Sequence, residues 1–451
     1  MPTSISAPGR SLSKSDKVRL ATLILMVGIA LSVFVHYCFG AYCGYRYPYS
    51  TYLVRPSDTI LINNIVTTNH CFGDLLAACI HAANRDPYFA AIPQPFGEPR
   101  SFPSNYFPFG AMLPYPLTLV PYPWAVAIFI AGFVAILFAF NWYFMRTGDP
   151  YGDAVSIAAL TLMNYPAQMV VDRGNVEAFV FAFIAGFVVL LIRRQVAAAA
   201  ALLGAAIAMK AVPVVFLPVC YRAAKRRGIV ISVATAAALT IVSLLLMSRP
   251  VHLSVLQLIS ILFNYSGNVT AGLESANHSS SLYGLFALGA WFSQVSPGAG
   301  AIWNALLSNY SLIAAAILIG SMAACVMLPM KLWEMATVTT VCLVLLPQGS
   351  PDYRLIHLMI PFALFVNSKT DRANGLLNTV LFSLLLVPKS FIILAHETSL
   401  NSVLNPILML VLLTRTMFEA YRRRCSDGQP VAGAPQPTKN DRRRPLPRRK
   451  R

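Results

Sequence analysis

The sequence predicts an all-α, multi-pass membrane protein, and its composition and the spacing of its apolar segments both support this fold class. Hydrophobic residues make up 57% of the 451 residues and charged residues only 12%, with a mean hydropathy of +0.61. Apolar runs of about 18 to 22 residues recur along the chain, each long enough to cross a hydrocarbon core of roughly 30 Å. We expect about 11 to 13 membrane helices, some of them short, broken or re-entrant.

Basic residues predict which ends of the segments face the cytoplasm. Residues 1–19 carry four Lys or Arg before the apolar run 20–40, which is typical of a retained, cytoplasm-anchored first helix. The net charge is +18, and residues 422–451 hold half of it, since 11 Lys and Arg stand against 2 Asp. We interpret 421–451 as a disordered basic cytoplasmic tail near anionic lipid, not as a nucleic-acid arm. Both termini are then cytoplasmic in a plasma (inner) membrane protein whose membrane domain is 20–420.

The first loop, 41–107, is predicted to lie outside the cell. It is rich in Pro and Tyr and much longer than an ordinary connection, which favours a structured, functional loop. Cys43 and Cys71 in this loop form a disulfide or stay free thiols, because sequence alone does not assign the pairing. The chain has no CxxC pair, so a zinc ribbon or a redox motif is not supported.

The next segments follow from apolarity and charge together. Arg193-Arg194 and the basic cluster 222–227 should both be cytoplasmic, yet a single apolar stretch, 195–221, lies between them. We expect this stretch to enter and return as two short helices broken between Lys210 and Pro213, since proline interrupts a helix. Residues 248–282 are predicted to be a second outer loop and 283–295 a short re-entrant helix. The remaining spans are predicted near 108–120, 123–145, 153–171, 175–192, 228–247, 299–328, 332–347, 354–368, 374–392 and 399–417.

With this topology the unusual polar clusters fall on the outer side. They are FGD ending at Asp74, the pair Asn105-Tyr106, the run Asp172 to Asn175, the run around His278, and GSPDYR ending at Arg354. Lys210 would lie near mid-depth, where an ionisable side chain is costly and function is the first interpretation; its rival is a lysine that snorkels to the interface.

Several of these motifs resemble glycosyltransferase family 87. They include Asp74 followed a dozen residues later by DPY, NYFPFGAMLPYPL, RGNVEAFVFAF, ALLGAAIAMKAVPVVFLPV, NHSSSLYGL and SPDYRLIHLMIPF, spread over roughly residues 20–420. The chain departs from the family where DRGN replaces Gly-Gln-x-Asn and where Asn-His-Ser replaces Asn-Gln-Ser. These departures bear on the donor sugar more than on the reaction.

The resemblance implies a GT-C architecture and inverting transfer of a hexose, with mannose the leading guess, from a polyprenyl-phosphate donor. The acceptor would be a lipid-linked or envelope glycan on the outer face. Asp74 is the candidate general base, although an Asp before LLAACIHAA is equally suited to cap a helix. The candidate substrate-binding residues are Arg173, Asn175, Lys210, His278 and Arg354. Asp172 and Arg173 have the alternative of pairing with each other, and His357 is expected to be an ordinary satisfied helix residue.

Other classes of function are less well supported. We expect no cofactor and no metal, since the chain has neither an Asp-x-Asp pair nor HExxH, and no Walker or GxGxxG loop for a nucleotide. A transporter or flippase of lipid-linked sugars is the main alternative, because broken helices and an intramembrane lysine are also expected there. A non-catalytic partner in an envelope polysaccharide complex is a third.

Overall fold

The computed structural model describes residues 11–42, 72–88, 91–92, 100–101, 104, 106–268, 279–293, 297–389, 392–394 and 398–427. These residues form a bundle of helices with two small antiparallel strand pairs. One pair joins Ala91–Ile92 to Arg100–Ser101, and the other joins Ile392–Leu394 to Thr398–Ser399.

The α-helices include long apolar rods and short pieces joined by tight breaks. In chain order they are Lys14–Tyr42, Gly73–Asn84, Pro108–Met112, Tyr122–Met145, Pro150–Leu162, Tyr165–Arg173, Glu177–Ile192, Val196–Met209, Leu217–Leu246, Val251–Asn268, Leu282–Phe292, Pro297–Ser308, Tyr310–Met327, Leu332–Leu345, Met359–Val366, Arg372–Leu386 and Asn401–Asp427. Three 3₁₀ segments, Tyr115–Leu119, Val212–Phe216 and Asp352–Leu358, connect some of them.

The lengths and apolarity of these helices confirm the predicted fold class. Within the described part of the chain, five helical segments are long and apolar enough to cross a membrane, and the pair Pro150–Leu162 and Tyr165–Arg173 forms a sixth that bends by 45°. Six shorter apolar helices of 10–17 residues accompany them. The bend follows from local sequence, because Asn164 caps the second helix and Pro166 stands in its first turn.

The predicted break at Lys210 is present. One helix ends at Met209, Lys210 is extended, and a 3₁₀ turn begins at Val212 with proline in its first turn. The chain then kinks again at Lys225, whose backbone is not helical. Ser232 donates a hydrogen bond to the Ala200 carbonyl, and Gly204 lies against the backbone and side chains of residues 232–236. The helix Val196–Met209 and the part of the next helix after Lys225 therefore run in the same direction. Residues 212–224 return between them, as expected.

The centre of the bundle is the helix Leu332–Leu345 with the helix Met359–Val366. Every residue from Trp333 to Leu345 is buried, and so is every residue from Met359 to Val366. The hydroxyls of Thr337 and Thr339 donate to backbone carbonyls one turn earlier, so these polar groups are satisfied within an apolar core.

Several boundaries differ from the sequence prediction. The predicted span 108–120 is the short helix Pro108–Met112 followed by a 3₁₀ segment, and the predicted span 153–171 is the bent pair of helices. The helix Val251–Asn268 occupies much of the predicted second loop, and the helix Asn401–Asp427 runs seven residues into the predicted disordered tail. The predicted span 299–328 is two helices that meet at Asn309, and the predicted span 354–368 begins as a 3₁₀ segment. Short apolar or basic stretches at the ends of spans stay helical because tertiary packing, not hydropathy alone, decides where a helix ends.

Candidate active site

Asp74 lies in the first turn of the helix Gly73–Asn84, beside the end of the helix Tyr165–Arg173. The residue at the N-cap position is Phe72, and its backbone N–H donates to the Asp172 carbonyl at 2.8 Å. Asp74 is inside the helix, and its carboxylate bonds to other side chains. The capping alternative for Asp74 is therefore not what the structure contains.

A glycine makes this close approach of two helix ends possible. Gly174 has φ of 62°, a left-handed conformation that side-chain-bearing residues rarely adopt. A Cβ at this position would lie 2.6 Å from the Cβ of Leu75. The Arg-Gly-Asn turn can therefore pass directly over the start of the Asp74 helix, which brings its two polar neighbours onto the carboxylate.

Arg173 and Asn175 hold the Asp74 carboxylate from both sides of that glycine. The Arg173 Nε donates to Asp74 Oδ2 at 2.9 Å and its Nη2 donates to Oδ1 at 3.3 Å, while the Asn175 Nδ2 donates to Oδ2 at 2.6 Å. An ionised carboxylate can accept about four hydrogen bonds, so these three leave one acceptor position, on Oδ1. The Asp74 side chain is 20% exposed, so the carboxylate is only partly buried. Arg173 pairs with Asp74 and not with its neighbour Asp172, which corrects the alternative pairing.

A second charged cluster centres on Glu177. Its Oε2 receives a hydrogen bond from the Lys210 Nζ at 3.2 Å, and its Oε1 lies 3.1 Å from the His357 Nε2. The Glu177 and His357 side chains are 2% and 0% exposed. The Asn175 Oδ1 accepts from the Glu177 backbone N–H, so one asparagine touches both clusters. Lys210 is therefore neither snorkelling nor isolated, because it is held by a buried carboxylate.

Arg354 is a buried cation beside these groups. It is 8% exposed, and its Nη1 donates to the Gly349 carbonyl at 2.8 Å. Its Nε has no hydrogen-bond partner, and no ion pair involves it, among the residues that the structure describes. A buried charge without a counter-ion is costly, so this guanidinium is suited to receive an anion.

Two tyrosines join the cations into one site. The Lys210 Nζ lies 5.3 Å from the centre of the Tyr106 ring, and the Arg173 guanidinium lies 5.3 Å from the centre of the Tyr353 ring. Both distances are typical of cation–π contacts. One ring thus contacts the lysine of the Glu177 cluster, and the other contacts the arginine of the Asp74 cluster.

The Tyr106 phenol responds electrostatically to all of these groups. Burial raises its pKa well above the ordinary value, and Tyr353, Asp74 and Glu177 raise it further, whereas Arg354 lowers it. This influence decreases with distance, so the two carboxylates and Arg354 lie near the same ring. The three cations Arg173, Lys210 and Arg354 therefore outnumber the two carboxylates of this site by one.

Asp352 ties the Arg354 segment to three other parts of the chain. Its carboxylate accepts hydrogen bonds from Ser280, from Tyr165 at 3.1 Å, and from Asn401 at 2.6 Å. Burial raises the pKa of the Asp352 carboxyl, and its three hydrogen-bond donors together with Lys389 oppose that shift. This network fixes the position of the 3₁₀ segment that carries Arg354 and His357.

The structure brings most of the predicted site residues together. Asp74, Arg173, Asn175, Lys210 and Arg354 lie in one cluster, whereas His278 falls outside the described residues, as do Cys43 and Cys71. Asp86 lies apart and pairs with the exposed Arg249 at 3.0 Å, consistent with a structural turn. Within the described ranges, no three His, Cys, Asp or Glu side chains are arranged to hold a metal.

Glu177 is a site residue that the sequence interpretation missed, whereas Tyr106 and Asp352 stood in its outer polar clusters without a role of their own. Glu177 stands at the start of the apolar run EAFVFAFIAGFVVLLI. Like Lys210, it is an ionisable residue in an apolar segment, where such a residue is costly and a function is the first interpretation. His357 was expected to be a satisfied histidine, but only its Nε2 is hydrogen-bonded, to this buried carboxylate, and its buried Nδ1 has no partner among the described residues.

The fold and the cluster define a multi-pass membrane protein with a polar, charge-rich centre, as suits an enzyme that acts on membrane-associated substrates. Residues 105–347, more than half of the chain, match the family model described as glycosyltransferase family 87. The chain therefore belongs to glycosyltransferase family 87, and the resemblance seen in its motifs is confirmed. It is a membrane glycosyltransferase, so its substrates are a sugar donor and an acceptor, and membrane lipids surround it. No curated protein matches the chain significantly.

The matched region covers part of the cluster. Arg173, Asn175, Glu177 and Lys210 lie inside residues 105–347, whereas Asp74 and Arg354 lie outside on either side. The fold is what joins the flanking residues to the matched ones.

Proposed function

We propose that the protein transfers a hexose, with mannose the leading candidate, from a polyprenyl-phosphate donor to a lipid-linked or envelope glycan. The observation that carries this proposal is Arg354, a buried guanidinium with an unsatisfied Nε and no carboxylate partner among the described residues, in the same cluster as Asp74. Such a cation suits a phosphate leaving group. A carboxylate with one free acceptor position suits an acceptor hydroxyl.

The proposed step is a single displacement. The acceptor hydroxyl oxygen forms a bond to the anomeric carbon while the bond from that carbon to the phosphate oxygen breaks, and its electron pair leaves with the phosphate. The hydroxyl proton passes to Asp74 Oδ1, the atom with the open acceptor position. Attack opposite the leaving group inverts the anomeric configuration. No general acid is required, because a phosphate is already a weak base and leaves as an anion.

The other residues divide the work around this step. Arg173 and Asn175 hold the Asp74 carboxylate in one orientation, so that Oδ1 faces the acceptor. Arg354 and Lys210 stabilise the charge that develops on the phosphate, and Glu177 holds Lys210 in place. Tyr106 and Tyr353 exclude water and present aromatic faces to the cations.

The distribution of basic residues supports an active site on the outer face. The helix Glu177–Ile192 runs from the site to Arg193-Arg194, and the helix Leu332–Leu345 runs from Lys331 toward Arg354. The site therefore lies at the helix ends opposite these basic residues, and basic ends face the cytoplasm. A polyprenyl-phosphate sugar is available on the outer face, where nucleotide sugars are not used.

Reconstitution with defined donors tests the proposal. The purified protein in lipid vesicles is offered polyprenyl-phosphate mannose, polyprenyl-phosphate glucose or a nucleotide sugar, with extracted envelope glycolipids as acceptors. We expect a glycolipid larger by one hexose, with inverted anomeric configuration by NMR, from a polyprenyl-phosphate donor and not from the nucleotide sugar. Movement of the donor across the bilayer without transfer would instead favour the flippase alternative, and donor binding without either would favour an assembly partner.

A further inference from the structure

A second polar pocket lies at the opposite end of the molecule from the candidate active site. Its volume is about 560 Å³, and it is formed by the start of the helix Leu332–Leu345, the loop 369–371 and the last turns of the helix Asn401–Asp427. The 14-residue helix that separates it from the site is about 21 Å long. We propose that this pocket binds the headgroup of an anionic phospholipid.

Two of the three carboxylates that line the pocket are paired with arginines. The Glu334 Oε2 accepts a hydrogen bond from Arg423, and the Glu419 Oε1 lies 2.9 Å from Arg415. Asp371 caps the following helix through its side chain and keeps its negative charge. Asp371 is therefore the one described carboxylate of the pocket that is not paired with a cation.

The remaining basic side chains face the pocket without a counter-ion. They are Lys331, Lys369 and Arg422, and no ion pair among the described residues includes them. The Lys331 Nζ donates to the neutral Lys369 carbonyl at 3.3 Å, and Arg422 lies over the Phe418 ring. These three cations outnumber the single unpaired carboxylate of Asp371, and the resulting positive potential attracts a phosphate.

Buried polar atoms at the base of the pocket also lack partners. The Trp333 Nε1, the Arg423 Nε and the Glu334 Oε1 make no hydrogen bond within the part of the chain that the structure describes. Trp333 and Glu334 are 3% and 1% exposed, so bulk water does not satisfy them. A headgroup that has both a phosphate and hydroxyls matches this set once a side-chain shift uncovers these atoms, because its phosphate accepts from the two donors and a hydroxyl donates to Glu334.

The surroundings of the pocket favour a lipid over a free phosphate ion. Phe418 and Tyr421 line the mouth and are 59% and 56% exposed. They lie on the last turns of a helix long and apolar enough to span a membrane, at the depth where aromatic side chains meet headgroups. A lipid whose phosphate enters the pocket would place its acyl chains along these rings, next to bulk lipid.

Lipid binding by the purified full-length protein tests the proposal, with no donor or acceptor present, so that its outcome is independent of transfer. Affinity for phosphatidylglycerol in micelles is measured by native mass spectrometry, with phosphatidylcholine and inorganic phosphate as comparison probes. Lys331→Gln combined with Arg422→Gln should weaken phosphatidylglycerol binding, roughly fivefold per charge and about 25-fold for the pair.

The control removes two charges from the same end of the molecule but outside the pocket, by Arg226→Gln combined with Arg424→Gln. Both control residues are exposed, and neither lines the pocket. We expect the control to bind like the wild type. Equal loss in the two double variants, equal binding of phosphatidylcholine, or full displacement of the lipid by inorganic phosphate would each overturn the proposal.

Discussion

The contact between Glu177 and Lys210 gives a prediction about stability that is independent of catalysis. Glu177→Gln keeps the shape of the side chain and a hydrogen bond to His357 but removes the charge that balances Lys210. Removing one member of a buried ion pair costs about 3–5 kcal/mol, because the other charge stays buried and uncompensated. The Lys210 side chain is 13% exposed and the nearby Arg354 is 8% exposed. Because both cations are buried, water screens their charges only weakly in the variant.

A double-mutant cycle measures this cost. Lys210→Met alone should destabilise the protein by a similar amount, whereas Glu177→Gln with Lys210→Met should fall within about 1 kcal/mol of the wild type. The free energy of unfolding is measured by denaturant titration in mixed micelles. The same cycle on the exposed pair Arg19 and Asp149 should show no measurable coupling. Additive losses at Glu177 and Lys210 would refute the assignment of a coupled buried pair.

Three further predictions concern the groups around this pair. Arg354→Lys should lower kcat/KM for the donor about 10- to 100-fold in a transfer assay, since lysine lacks the planar guanidinium fork. The control Arg249→Lys should have no effect. Equal kcat/KM for Arg354→Lys and the wild type would contradict phosphate binding by Arg354. Asp352→Asn should cost about 1–3 kcal/mol of unfolding free energy, because its amide cannot accept all three hydrogen bonds, and an unchanged unfolding midpoint would count against the network. Because burial raises the pKa of the Tyr106 phenol well above its ordinary value, this group stays protonated at neutral and mildly alkaline pH. Tyr106→Phe should therefore leave the alkaline limb of the pH–rate profile in place, and its disappearance would show that the phenol titrates.

The sequence was sufficient for the fold class and for the most unusual backbone feature. Apolar run lengths predict a multi-pass helical protein, and two basic clusters separated by one apolar stretch predict a break near Lys210. Both inferences rest on strong physical constraints, the thickness of the bilayer and the cost of moving charge across it. Helix ends such as Asp427 depend on packing and were predicted less well.

For the candidate site, sequence identified single residues but not their partners. Scarcity of charge singles out Asp74 and Lys210. It does not show that Asp74 pairs with Arg173, 99 residues away in the sequence. Nor does it show that Glu177 contacts both Lys210 and His357, the latter 180 residues away. The choice between Asp74 as a helix cap and Asp74 as a base also required the fold, because both interpretations rest on the same local sequence. The turn at Gly174 brings Arg173 and Asn175 to the carboxylate, and these contacts exclude the cap.

Asp74→Asn in the purified protein tests the central claim most directly. The variant keeps the size of the side chain and can still contact Arg173 and Asn175, but it cannot take the hydroxyl proton. We expect kcat for sugar transfer to fall at least about 100-fold while donor binding is retained, and Asp86→Asn, whose carboxylate pairs with Arg249 away from the site, to transfer at the wild-type rate. Wild-type transfer by Asp74→Asn would remove Asp74 as the base.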